Sequence, residues 1–168
     1  NLAAFDTRGI ATAWNPDVRH NAPYGAEVTA LALSPGGDTV YAGGDFISVG
    51  GQTRRSLAGI SAATGAPTAL DAQVLFGALP NSTSVDAIAP HPDGRLFIGG
   101  HFTSVQGSAR TGVAAISGTT GAPTAWNAGA NSEWMYALAL SPDGSRLYAG
   151  GAFTTIGGVA GRSYLAAL

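Results

Sequence analysis

Two stretches, Val28–Leu33 and Met135–Leu140, are apolar at almost every position, with small Ala alternating with larger Leu, Val or Tyr. A strand wetted on one side alternates apolar with polar. These do not, so the pattern predicts short strands with both faces buried. Each leads through a turn (Pro142-Asp143-Gly144, Pro92-Asp93-Gly94 or Pro35-Gly36-Gly37) into a second strand, Leu147–Gly151 or Val40–Gly44. Pro fixes φ near −65° and Gly supplies the positive φ of a tight hairpin. A third strand is expected at Leu57–Ser61 and Val113–Ser117. A Thr-Gly-Ala-Pro turn then leads to a short fourth segment such as Thr124–Asn127. No stretch carries apolar residues at helical spacing over three turns, so the class is all-β.

These elements recur. LYAGGAF (147–153) matches VYAGGDF (40–46) and LFIGGHF (96–102), and each is followed by a small-residue tail, TTIGG, ISVGG or TSVQG. TGAPTAW (120–126) matches TGAPTAL (64–70) and, more loosely, RGIATAW (8–14). With Leu2, Leu57, Val113 and Leu165 as markers, the period is 52–56 residues. One repeat domain, 1–168, therefore holds units 2–56, 57–112 and 113–164, with a fourth starting at 165–168. Four short strands per unit describe propeller blades.

The strings YAGGDF, VGG, LAGIS, TGAPTAW and ALALSPDG resemble kelch-type repeats, and more closely the delta-60 type of bacterial β-propeller repeat. The resemblance implies scaffolds, glycan binders and some enzymes, and places no catalytic residue on this sequence. Propellers close with about four to eight blades. Three blades are thus expected to be part of a larger ring, completed by further blades of the same polypeptide or by a second copy of the chain. Edge blades should meanwhile expose apolar faces.

Composition narrows the function classes. Only 11% of the 168 residues are charged and the formal net charge is −2. No basic surface invites nucleic acid or an anionic membrane, and no apolar run reaches the ~20 residues of a membrane helix. With no cysteine, disulfides, thiolate metal sites and Cys nucleophiles are excluded. No cofactor motif appears. All eight basic residues are Arg, and Ala and Gly abound, which fits a GC-rich bacterial coding sequence. The start at Asn1 suggests a processed form or a piece of something longer. The low-charge, Cys-free composition suggests an extracellular or cell-surface setting.

No catalytic set emerges. His20, His91 and His101 stand at no metal-ligand spacing. His91 reads as a hydrogen-bonding turn residue. His101 shares its slot with Asp45 and Ala152, just after the glycine pair, where a ligand-facing residue or a tolerant surface position would both fit. Asp86, equivalent to Thr29 and Tyr136, is a carboxylate in an apolar strand. It reads as an acid or base with a raised pKa, or more simply as the lining of a wet channel. Glu27 and Glu133 are assigned to loops. The loops 15–27, 71–84 and 127–134 differ between units and carry Arg19, His20, Tyr24, Leu75, Phe76, Asn131 and Trp134. Rigid frameworks present binding groups on such loops. Tyr24, Phe76 and Trp134, with Asp45, Asp86 and His101, are therefore the candidate ligand-binding residues. Trp14, Trp126 and Leu70 recur in register and read as packing. Asn81-Ser82-Thr83 is a glycosylation sequon. Ala30, Ala87 and Ala137, with Ala32, Ala89 and Ala139, read as contacts between converging sheets, so Ala139→Leu is expected to overpack. The favoured function is a non-enzymatic scaffold or protein-interaction module. A carbohydrate-binding module using loop aromatics comes second, and a fragment of a propeller hydrolase or lyase third.

Overall fold

A computed structural model describes residues 2–21, 25–77 and 83–168. Tyr24, Asn81 and Ser82 lie outside the described residues. Each blade takes its last main strand from the start of the next sequence unit, so the first blade contains β1 (Val18–Arg19), β2 (Glu27–Leu33), β3 (Thr39–Asp45), β4 (Ser48–Val49), β5 (Gln52–Thr53) and β6 (Leu57–Ser61). The second repeats them as β7 (Val74–Leu75), β8 (Ser84–Pro90), β9 (Arg95–His101), β10 (Ser104–Val105), β11 (Ser108–Ala109) and β12 (Val113–Ser117). The third has β13 (Met135–Leu140), β14 (Leu147–Gly151), β15 (Thr155–Ile156), β16 (Val159–Ala160) and β17 (Leu165–Ala167). The main sheets are antiparallel and ordered β2-β3-β6, β8-β9-β12 and β13-β14-β17. These are propeller blades. The fourth segment of a unit is reduced to a single bridge, Ile60 with Pro67 and Ile116 with Pro123.

The hairpin turns follow their chemistry. Gly37, Gly94 and Gly144 take φ of 73°, 90° and 73°, which their lack of a Cβ allows. Each donates its N–H back to the residue before the turn proline: Ser34, His91 or Ser141. The small-residue tails form hairpins that the hydrophobic pattern did not reveal. β4 pairs with β5 on one edge and β1 on the other, and β10 likewise with β11 and β7. The third unit lacks the equivalent outer strand. There the Asn131 side chain accepts from the Thr154 and Thr155 amides, both at 3.0 Å, and holds the β15–β16 hairpin in its place.

The core lies between blades. Tyr41, Leu57 and Leu70 of the first pack against Leu96, Ile98 and Ile116 of the second. Phe97, Val113 and Trp126 of the second pack against Met135, Leu147 and Ala149 of the third. A hairpin built on the Phe5–Ala11 bridge covers part of the first blade's outer side, setting Leu2 and Trp14 against Ala42, Ala58 and Ile60. Leu2 and Trp14 thereby occupy the places that Leu57 and Leu70 take one blade further on. The recurrent Phe46, Phe102 and Phe153 are fully buried, one in each of the three core clusters.

The first strands are not buried alike. β8, in the middle blade, is covered on both sides, with Val85, Ala87 and Ala89 buried. β2 and β13 each have one open face, because no blade lies beyond them. Leu31 and Leu33 are exposed on the first, and Ala137 and Ala139 on the third. The expectation that Val28–Leu33 and Met135–Leu140 are buried on both faces is corrected accordingly; their open faces are those expected of edge blades. The overpacking expected at Ala139, whose buried counterpart is Ala89, is corrected too. We predict that Ala89→Leu lowers unfolding free energy by roughly 1–3 kcal/mol through overpacking. Ala139→Leu should stay within about 0.5 kcal/mol of the parent in dilute solution. Urea unfolding of the two variants checks this, and equal losses would refute the asymmetry.

Candidate functional site

The first strands lie side by side, and each carries a bulge near its start, between Val28 and Ala30, Val85 and Ala87, and Met135 and Ala137. The bulge re-aims the residues preceding the Ala-rich run. Glu27, Ser84 and Trp134 hold one repeat position, and Thr29, Asp86 and Tyr136 another. Across the hairpin, Glu27 pairs with Asp45 and Ser84 with His101. A backbone bridge from His101 to Trp134 ties the second blade to the third. The result is a cleft of about 390 Å³ lined by Glu27, Thr29, Asp45, Thr83, Ser84, Asp86, His101 and Trp134.

Four predicted site residues, Asp45, Asp86, His101 and Trp134, therefore meet in one place. Phe76 does not line the cleft and is corrected to a supporting role. Its ring lies 4.2 Å from that of His101, and Trp134 stacks on His101 at 4.0 Å with planes 12° apart. Phe76 is tilted by 30° against His101, so one stacked and one tilted ring contact hold the imidazole. The indole, 44% exposed, forms the aromatic wall of the cleft. Tyr24 lies outside the described residues. Arg19 pairs with Asp17 at the surface, 2.8 Å away, and His91 Nε2 reaches the Gly144 carbonyl at 3.1 Å, linking two turns.

Glu27 was missed. It is the first residue of β2 rather than a loop residue. The repeat register carried the signal, since Glu27 stands where Ser84 and Trp134 stand. Thr29 and Ser84 were missed for the same reason. The Ser84 hydroxyl donates to Asp86 Oδ2 at 3.1 Å. That of Thr29 lies 3.1 Å from the Val85 carbonyl and 3.4 Å from Asp86 Oδ1, spanning two blades.

Burial governs the charge state of the carboxyls. It pushes Asp45 above the ordinary carboxylate value; nearby His20 opposes the shift and Glu27 adds to it. His20 Nε2 is 3.5 Å from Asp45 Oδ1, and its side chain is buried. Burial also raises Asp86, against the pull of the Ser84 and Thr29 hydroxyls and of His101, with Glu27 again adding to the rise. The turn carboxylates behave oppositely. Asp143 is lowered to about 2 by hydrogen bonds from the Ser141 hydroxyl and from Ser145. Among the described residues no group of three His, Asp or Glu is arranged to hold a metal ion.

A family described as a domain of unknown function (DUF5122) beta-propeller matches residues 91–114. That stretch runs from the turn before β9, through the glycine pair and the β10–β11 hairpin, into β12. The repeat is a β-propeller repeat. No curated protein matches the chain. Among the described residues no helix is long and apolar enough to cross a membrane.

Asp86 gives a pH signature. Its carboxyl binds a proton more tightly in the folded state than in the unfolded one. The associated stability is therefore full below the ordinary value of 3.8 and is lost as pH rises through the folded value. Asp86→Asn removes this loss. The unfolding free energy of the variant relative to the parent should rise as pH goes from about 3 to 7. Urea unfolding across that range checks it, and a difference that is flat or falls refutes the assignment.

Proposed function

We propose that the chain is a non-enzymatic β-propeller scaffold or interaction module, part of a larger exported or surface protein or assembly. It works beside further blades, from the same polypeptide or a second copy. One observation carries this reading. Residues that recur between units account for folding, and five that differ gather at one cleft. The glycine pairs, the buried Phe, the Trp or Leu of the fourth segment, and Arg54 and Arg110, which donate to the Thr68 and Thr124 carbonyls, are framework. Glu27, Asp45, Asp86, His101 and Trp134 repeat nowhere in register, and all line the cleft. Ligand recognition requires such a break in symmetry, whereas folding does not. The low-charge, Cys-free composition supports the exported setting.

A carbohydrate ligand is the second reading, favoured by the wall at Trp134. An indole edge beside carboxylates and hydroxyls suits a sugar, whose C–H face packs on the ring while its hydroxyls are fixed by polar groups. The test is a panel of oligo- and polysaccharides assayed for binding and for release of reducing ends. We expect no product. Any glycan bound by the parent should bind at least about tenfold more weakly to Trp134→Ala, a loss of about 1.4 kcal/mol. Product formation abolished by Asp86→Asn would overturn the non-enzymatic reading. Binding unchanged by Trp134→Ala would remove the sugar reading.

A further inference from the structure

The two ends of the blade stack are the two halves of a single interface, which the chain makes twice within itself. In each internal case the first glycine of a pair faces the first strand of the next blade. A Cβ on Gly43 would stand 2.8 Å from Val85 Cγ1 and 3.2 Å from Ile88 Cδ1. One on Gly99 would stand 2.9 Å from Met135 Cγ and 3.2 Å from Leu138 Cγ. At the outer end the same position is open. Among the described residues, only the Ala137 Cβ and the Tyr164 carbonyl, both of its own blade, come within 4 Å of a Cβ at Gly150, at 3.7 and 3.8 Å. An apolar hollow of about 170 Å³ opens beside it. Tyr148, on the same strand, is 41% exposed, whereas its counterparts Tyr41 and Phe97 are 7% and 5% exposed. At the opposite end Leu31, the counterpart of Ile88 and Leu138, is 58% exposed. One end is a socket without its knob, and the other a knob without its socket.

We infer that a second copy of this chain covers both ends, Leu31 of each copy entering the hollow at Gly150 of the other, so that two copies close a six-bladed ring. This rests on the reading of the chain as a module that packs with further blades, and it names the partner. The contact joins unlike faces, so it must either close into a ring or grow without limit. Two copies of three blades fall inside the range of about four to eight blades at which propellers close, whereas three copies overshoot it. The outer strands agree. The Leu2–Trp14 hairpin carries a fourth segment, already fastened to the first blade by the Trp14 indole donating to the Ser61 carbonyl at 3.0 Å. Leu2–Phe5 and Leu165–Leu168 hold the same repeat position, so at each seam only one of them can lie beside β14. The Leu2–Trp14 hairpin, anchored through Trp14, takes that place.

Sedimentation equilibrium of the 168-residue chain tests this. The expected mass is twice 16.7 kDa. Gly150→Leu fills the hollow where the isolated chain has room for it, and Leu31→Asp places a charge on an exposed knob. Each should weaken self-association at least about tenfold while leaving the circular dichroism spectrum unchanged. An equimolar mixture of the two variants should recover dimer, because the mixed pair keeps one intact seam. A monomer at millimolar concentration overturns the inference. So does a dimer indifferent to both substitutions, a mixture that recovers nothing, or growth beyond two copies. The glycan-panel assay is separate. A monomer that still binds through the cleft would sink the ring and leave the functional reading standing.

Discussion

The architecture depends on an atom that is missing. At Gly43 and Gly99 the second strand has no Cβ, and the first strand of the next blade fills the space with Val85 and Ile88, or Met135 and Leu138. Any side chain there would push neighbouring sheets apart and open a gap along the clusters built on Leu57, Leu96 and Ile98, or on Val113, Leu147 and Ala149. Dispersion falls steeply with separation, so a small displacement forfeits much of the contact energy. The partner glycine of each pair serves the hairpin itself. A Cβ on Gly44 or Gly100 would fall on the carbonyl oxygen of Glu27 or Ser84 at the bulge. The Gly-Gly pair thus couples inter-blade packing to the bulge that shapes the start of the first strand.

That coupling links fold to site. The bulges turn the residues before the Ala-rich runs toward one cleft, and the close inter-blade approach brings Thr29 of one blade to Asp86 of the next. The cleft is a seam property that no single blade possesses. Its aromatic wall likewise needs Phe76 and His101 from one unit and Trp134 from the following one. Burial of the carboxyls follows from the same convergence, and it opposes ionisation of Asp45 and Asp86 while the turn aspartates, bathed in solvent and hydrogen-bond donors, ionise readily.

Repetition also explains the molecule's asymmetry. Identical faces are satisfied in the middle and bare at the ends, so Phe97 is buried while Tyr148 is open. Apolar area of this kind is worth roughly 25 cal/mol per Å² when covered. The Leu2–Trp14 hairpin covers part of one end, setting Leu2 and Trp14 against Ala42, Ala58 and Ile60.

The repeat, the three main strands of each blade, the turns and the packing role of Trp14, Leu70 and Trp126 are all legible in the amino-acid order. Local turn chemistry and apolar patterning act over a few residues, and recurrence amplifies both. The tail hairpins were not legible, because Ser48–Val49 and Ser104–Val105 carry little apolar signal and pair with a segment some thirty residues earlier. Nor was the exposure of Ala139 against the burial of Ala89, since the two hold the same repeat position, in ALALSPDG and AIAPHPDG, and it is a neighbouring blade that separates them. Asp45, Asp86, His101 and Trp134 could be picked out singly as breaks in the repeat, and Glu27 could have been. Only stacking of the sheets decided that they share a cleft, because their proximity is set by backbone contacts between units rather than by their spacing along the chain.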